Sequence, residues 1–127
     1  MLLLDTCTLL WLADDRARLS RPVLERLACG DVIALSAISI FEIGTKLRKN
    51  KLTLTTDLAT WTTGVLKRYD VDTIALSWPV AELASRLPPI HNDPFDRLII
   101  ATALSVDATL LTPDVNINRY PGLRVVW

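Results

Sequence analysis

Short apolar runs alternate along the chain with longer segments whose apolar residues recur at helical spacing. Leu2-Leu3-Leu4 stops at Asp5, and Thr6 to Ala13 follows at once as a helix, so the chain opens as a buried strand feeding a helix. Asp14-Asp15-Arg16 breaks that helix, and a second starts around Ser20-Arg21-Pro22 and ends near Gly30. Val32 to Leu35 is the second strand, and Ser36 caps a helix from Ala37 to about Asn50. Ile40, Ile43, Gly44 and Leu47 form its core face, with Glu42, Lys46 and Lys49 opposite. After a Thr-rich connector, Leu52 to Thr56, Asp57 caps a helix running through Trp61 and Leu66 to Tyr69. Thr73 to Leu76 is the third strand. A helix from Ser77-Trp78-Pro79 then runs to Leu87, where Pro88-Pro89 stops it.

The next helix carries the most information. Pro94 suits its first position, where a missing N–H costs nothing, and that makes Asp93 the N-cap. Asp96 falls in the first turn and lines up with Ile99, Ile100 and Ala103, so its carboxylate points along an apolar flank and demands a partner. The helix runs to about Val106. Ala108 to Thr112 is the fourth strand, and Arg124 to Trp127 is an edge strand. Strands alternating with helices predict an α/β fold with a mostly parallel sheet of four to five short strands, covered on both faces. No repeat, low-complexity segment or linker interrupts residues 1–127, which read as a single domain.

Composition narrows the function classes. Half the residues are apolar, which argues against disorder, and 14 basic side chains balance 14 acidic ones. A zero net charge gives no footprint of a protein that tracks phosphates electrostatically, so a nucleic-acid substrate needs a local site, such as one built on a metal. The N-terminal Met1-Leu2-Leu3-Leu4-Asp5 lacks a basic stretch and meets a charge at once, so we expect it not to act as a signal peptide. No apolar run approaches a membrane-spanning length, so we expect a cytoplasmic protein without membrane contact. Cys7 and Cys29 sit in no paired motif, which disfavours a disulfide framework or a zinc site.

In open α/β sheets, sites form beyond the carboxyl ends of the strands. Asp5 ends the first strand, Glu42 follows the second by two helical turns, Asp114 lies just past the fourth, and Asp96 begins the helix leading into that strand. Four acids from four segments can therefore converge on one rim. Carboxylates that close repel one another unless a hard divalent cation neutralises them, and Mg²⁺ so held can acidify a water and orient a phosphodiester. Each acid also has a plainer account. Asp5 can cap the helix at Thr6. Glu42 can pair with Lys46 on an exposed face, which periodicity alone favours. Asp93 has its oxygens occupied by capping, Asp96 can serve the helix dipole, and Asp114 can begin a turn after Pro113.

His91, the one histidine, reads more readily as a hydrogen-bonding structural residue than as a catalyst, and Cys7 as a small core residue. Lys46, Arg48, Lys49 and Lys51 form the one dense basic run, either a solvated helix end or a phosphate contact. Arg97 is equally open between a phosphate contact and a pair with Asp93. Trp61, on a helix dotted with Thr, is a candidate for a partner-facing surface.

Taken together, Leu2-Leu3-Leu4-Asp5-Thr6, Ser36-Ala37-Ile38-Ser39-Ile40-Phe41-Glu42-Ile43, His91-Asn92-Asp93-Pro94-Phe95-Asp96-Arg97-Leu98-Ile99-Ile100-Ala101 and Leu111-Thr112-Pro113-Asp114 stand in order over nearly the whole chain. The chain thereby resembles PIN-domain ribonucleases and, within them, VapC-type toxins of toxin–antitoxin pairs. The resemblance implies a PIN-like three-layer sandwich and metal-dependent hydrolysis of RNA by an activated water. It makes Asp5, Glu42, Asp96 and Asp114 the catalytic, Mg²⁺-binding acids, with Mn²⁺ a plausible substitute. Asp93, Thr6, Arg97 and Thr112, which flank them in the matching stretches, are candidate supporting residues. It further implies a homodimer, a cognate antitoxin whose C-terminal segment covers the site, and indirect association with operator DNA through that antitoxin. Two other readings compete. One is a non-catalytic PIN-like binding module, which the presence of all four acids disfavours. The other is a receiver-type signalling domain, disfavoured because no Asp follows the third strand and no Lys follows residue 67.

Overall fold

A computed structural model describes residues 1–127. Five strands, β1 (Leu2–Leu4), β2 (Ile33–Ser36), β3 (Val71–Ile74), β4 (Thr109–Leu111) and β5 (Arg124–Val126), form one sheet in the order β3-β2-β1-β4-β5, with every pairing parallel. Six helices surround it: α1 (Thr6–Asp14), α2 (Arg21–Leu27), α3 (Ala37–Arg48), α4 (Leu58–Tyr69), α5 (Trp78–Arg86) and α6 (Pro94–Ser105).

The central strand explains the layering. Leu3 sits between Ala34 of β2 and Leu110 of β4, and all three β1 leucines are fully buried. Because successive side chains leave opposite faces, Leu2 and Leu4 join one core with Leu9, Leu12, Ile43, Trp61 and Val65, while Leu3 joins another with Ile99, Ile100 and Ala103. Helices therefore cover both faces, which is why the strands read as unbroken apolar runs. The result is the expected PIN-like α/β three-layer sandwich.

The strand order places the site. The chain lays down β1, β2 and β3 in one direction and then returns to add β4 and β5 on the other side of β1. The carboxyl ends of β1 and β4 thus flank a topological switch point, where open sheets leave a crevice. The order also differs from the 2-1-3-4-5 arrangement of receiver-type domains, which removes that alternative.

Two local expectations need correction. The third strand is Val71–Ile74, two residues earlier than the apolar run suggests, and Leu76 is exposed. Asp70 closes α4 in the left-handed conformation (φ 51°), so the chain enters the strand immediately and pairs Val71 with Ile33. On this edge strand Asp72 and Thr73 face solvent, which disguises it. Trp61 is not partner-facing: it is buried in the core formed by β1 and α1, and its indole N–H donates to Asp14 Oδ2 at 3.3 Å. Phe95 is half-buried and packs on exposed Phe41, ring centres 5.8 Å apart, so the anchoring of α6 comes from Ile99, Ile100 and Ala103.

Candidate metal centre

At the carboxyl rim of the sheet, Asp5, Thr6, Cys7, Glu42, Lys46, Asp93, Asp96, Pro113 and Asp114 line one open cavity of about 380 Å³. Each acid arrives by a different local rule. Asp5 ends β1 and is also the N-cap of α1, its Oδ1 accepting from Thr8 N at 2.7 Å. The plain and the functional accounts of this residue are therefore compatible. Burial pushes the Asp5 carboxyl above its ordinary range; the Thr112 and Thr8 hydroxyls and the Thr8 amide oppose that without cancelling it.

Glu42 departs from the periodicity reading. It is only 8% exposed, together with Ser39 and Ile43 on the buried side of α3. Thr6 Oγ1 donates to its Oε1 at 2.6 Å and Lys46 Nζ stands 3.5 Å from its Oε2. Lys46 is the one cation lining the cavity, whereas Arg48, Lys49 and Lys51 are exposed.

Asp93 caps α6: its Oδ1 accepts from Phe95 N at 2.8 Å and Asp96 N at 3.4 Å. Because α6 runs antiparallel to the strand it feeds, its first turn lies at the carboxyl rim and brings Asp96 to Asp114. Burial, then the charge of Asp93, raise the Asp96 carboxyl; His91 partly offsets them, Glu42 and Asp5 add to the rise, and the value reaches about 7. At Asp114, partial burial is outweighed by the His91 hydrogen bond and the Asn116 amide, so its carboxyl lies below the ordinary range.

His91 is the residue that sequence reasoning undervalued. Its Nε2 lies 2.9 Å from Asp114 Oδ2 and 3.1 Å from Asp96 Oδ2. His91, Asp96 and Asp114 present ligand atoms all within 4.8 Å of one another, a cluster capable of coordinating a divalent metal. Its place two residues before the Asp93 cap was the available signal. Arg97, in contrast, neither reaches the cavity nor pairs with Asp93. Its guanidinium donates to the carbonyls of Ala84, Ser85 and Leu87 through Nη2, and of Pro88 and His91 through Nη1. It thereby satisfies the end of α5 and holds the loop that follows. Thr112 lies just behind the rim, its Oγ1 accepting from Asp114 N at 3.2 Å. Cys7 lines the cavity instead of the core, and burial followed by the charge of Asp5 pushes its thiol up, away from the reactive thiolate.

Five carboxylates facing one ammonium make an oxygen-rich, under-compensated donor set, which suits a hard divalent cation. A model of the PIN domain matches residues 2–123, and the chain belongs to that family. Among its relatives, Ribonuclease VapC22 of Mycobacterium tuberculosis is 30% identical over 128 residues, covering 98% of this chain and 97% of that protein. Two solved structures share the fold. VapBC2 from Rickettsia felis, bound to a DNA fragment from their promoter, superposes with a TM-score of 0.72 at 21% identity over 98% of this chain and 96% of that one. FitAcB from Neisseria gonorrhoeae gives 0.69 at 20% identity over 100% and 97%.

Proposed function

We propose that this chain is a divalent-cation-dependent endoribonuclease and the toxin of a toxin–antitoxin pair. The observation that carries the reading is the convergence of Asp5, Glu42, Asp96 and Asp114, from four separate segments, on one cavity at the switch point of the sheet. Likeness to a VapC ribonuclease over almost the full length of both chains supports it.

In this reading Asp5, Glu42, Asp96 and Asp114 hold Mg²⁺ or Mn²⁺. When bound, the ion supplies an acidified water and neutralises charge developing on the phosphate. The chain's own residues fix the geometry. Thr6 orients Glu42, Thr8 orients Asp5, and Asp93 is committed to holding the start of α6. Lys46 stands beside the acids as the group that meets a phosphate oxygen. The single domain of residues 1–127 works as a homodimer in the cytoplasm and is silenced by a cognate antitoxin, through which it associates indirectly with operator DNA. The related VapBC2 from Rickettsia felis, bound to a DNA fragment from their promoter, supports the last two points. No helix here is long and apolar enough to cross a membrane.

The test is to induce wild type and the Asp5→Asn and Asp96→Asn variants in cells and map new 5′ ends in total RNA. Growth arrest with discrete new ends from wild type alone, lost in vitro on chelation, is the expected result. Equal toxicity of folded variants, or cleavage that survives chelation, rejects the reading. A folded, inert wild type that binds no metal points instead to a non-catalytic binding module.

A further inference from the structure

Resting on the metal-site reading above, we infer that His91 is a positioning residue of the centre: its Nε2–H clamps Asp96 and Asp114 together, and the ring does not itself ligate the ion. The backbone N–H of Asp93 donates to His91 Nδ1 at 3.1 Å. A nitrogen that accepts carries no proton, so the proton of the neutral ring sits on Nε2, the nitrogen facing Asp114 Oδ2 at 2.9 Å and Asp96 Oδ2 at 3.1 Å.

A metal-ligating histidine shows the opposite pattern. It binds through one nitrogen and donates from the other to a carbonyl, a carboxylate or water. Here the far nitrogen faces a donor, so ligation through Nε2 requires either an imidazolate or loss of the Asp93 bond. The Asp93 amide is not free to move, because the same residue caps α6 through its side chain.

The rest of His91 is fixed as well. Its N–H donates to Tyr120 Oη at 2.9 Å, and that hydroxyl donates to Pro88 O at 2.9 Å. Its C=O accepts from Arg97 Nη1 at 3.1 Å. Every polar group of His91 is thus engaged, and the ring can present its Nε2–H to the carboxylates without searching rotamers. The hydrogen bond from Nε2 goes to Asp114 Oδ2, and Asp96 Oδ2 stands 3.1 Å from the same nitrogen as an ion-pair contact, with Asp96 Oδ1 in no hydrogen bond. Without the N–H between them, Asp96 and Asp114 would meet as two acceptors across the rim.

His91 is the only histidine, so ¹H–¹⁵N correlation of the ring nitrogens in the full-length, ¹⁵N-labelled chain reports on it alone. In mildly alkaline buffer the proton is expected on Nε2 with chelator present, and it stays there on adding Mg²⁺. A proton on Nδ1, on both nitrogens, or a shift from Nε2 to Nδ1 on adding Mg²⁺ overturns the inference. Calorimetric titration with Mg²⁺ provides the second arm. His91→Leu weakens binding about 10–100-fold, and His91→Gln, whose amide can donate from a similar position, recovers most of it. Equal affinity of wild type and His91→Leu, or a His91→Gln as weak as His91→Leu, overturns the clamp. If wild type binds no Mg²⁺ at all, the metal-site reading fails instead, and the two failures are distinct.

Discussion

Thr6 Oγ1 donates to Glu42 Oε1 at 2.6 Å, joining the first residue of α1 to an acid of α3 across 36 positions of sequence. Both groups are buried. The bond explains how a glutamate with ordinary helical neighbours is drawn to the inner side of its helix: a hydroxyl and the Lys46 ammonium wait there to satisfy its two oxygens. Thr6→Val keeps the shape and removes the donor. It should cost about 1–3 kcal/mol of stability, the penalty for stranding a buried acceptor, and Thr6→Ser should recover it. Urea denaturation of the three proteins measures the difference.

Stability of the metal-free protein should depend on pH through Asp96. Its carboxyl is raised from an ordinary 3.8 to about 7, so the folded state holds the proton more tightly than the unfolded chain. That contribution is fully present below the unfolded value and is lost as pH rises towards about 7. Asp5, also raised, acts in the same direction, whereas Asp114, lowered, favours the folded state at higher pH. With chelator present, the melting temperature should fall between mildly acidic and neutral pH. If the ionised acids hold Mg²⁺ as proposed, saturating Mg²⁺ should flatten or reverse that fall.

Asp96→Asn should separate stability from function. Removing a half-buried carboxylate that repels Asp93, Glu42 and Asp5 should make the metal-free protein at neutral pH as stable as wild type or more so. The same change should lower RNA cleavage by about 100-fold or more, the scale of losing one preorganised electrostatic group. Paired thermal melts and cleavage assays on one preparation test both halves.

Arg97→Lys should fail to replace the arginine. One guanidinium reaches five carbonyls between Ala84 and His91, and a single ammonium cannot span that arc. We expect a loss of about 2–3 kcal/mol, from charged hydrogen bonds given up at the end of α5. Because the His91 carbonyl is released too, Mg²⁺ affinity should fall with it. Denaturation and calorimetry on Arg97→Lys check the two effects.

Much of the architecture was legible because it is local. Leu2 to Leu4, fully apolar and three residues long, has to be a strand buried on both faces, and the Asp-Pro pair at 93 and 94 has to start a helix. Where two local rules conflict, neighbours in sequence do not decide the element. Val71-Asp72-Thr73-Ile74 looks unlike a strand until its pairing with Ile33 to Ser36 is known. Trp61 looks exposed among threonines until β1 and α1 close over it.

The sequence by itself determined the alternation of strands and helices, the caps, and the positions of four acids at element ends. Those features depend on neighbours within a turn or two, and the chain states them directly. Only the tertiary structure decided which oxygens and nitrogens meet: Glu42 with Thr6, His91 with both Asp96 and Asp114, and Arg97 with the carbonyls that carry the His91 loop. A side chain's partner across 23 or 36 residues is set by strand order and helix direction. Periodicity describes only which face of its own helix a residue occupies, and is silent on what the fold brings against that face.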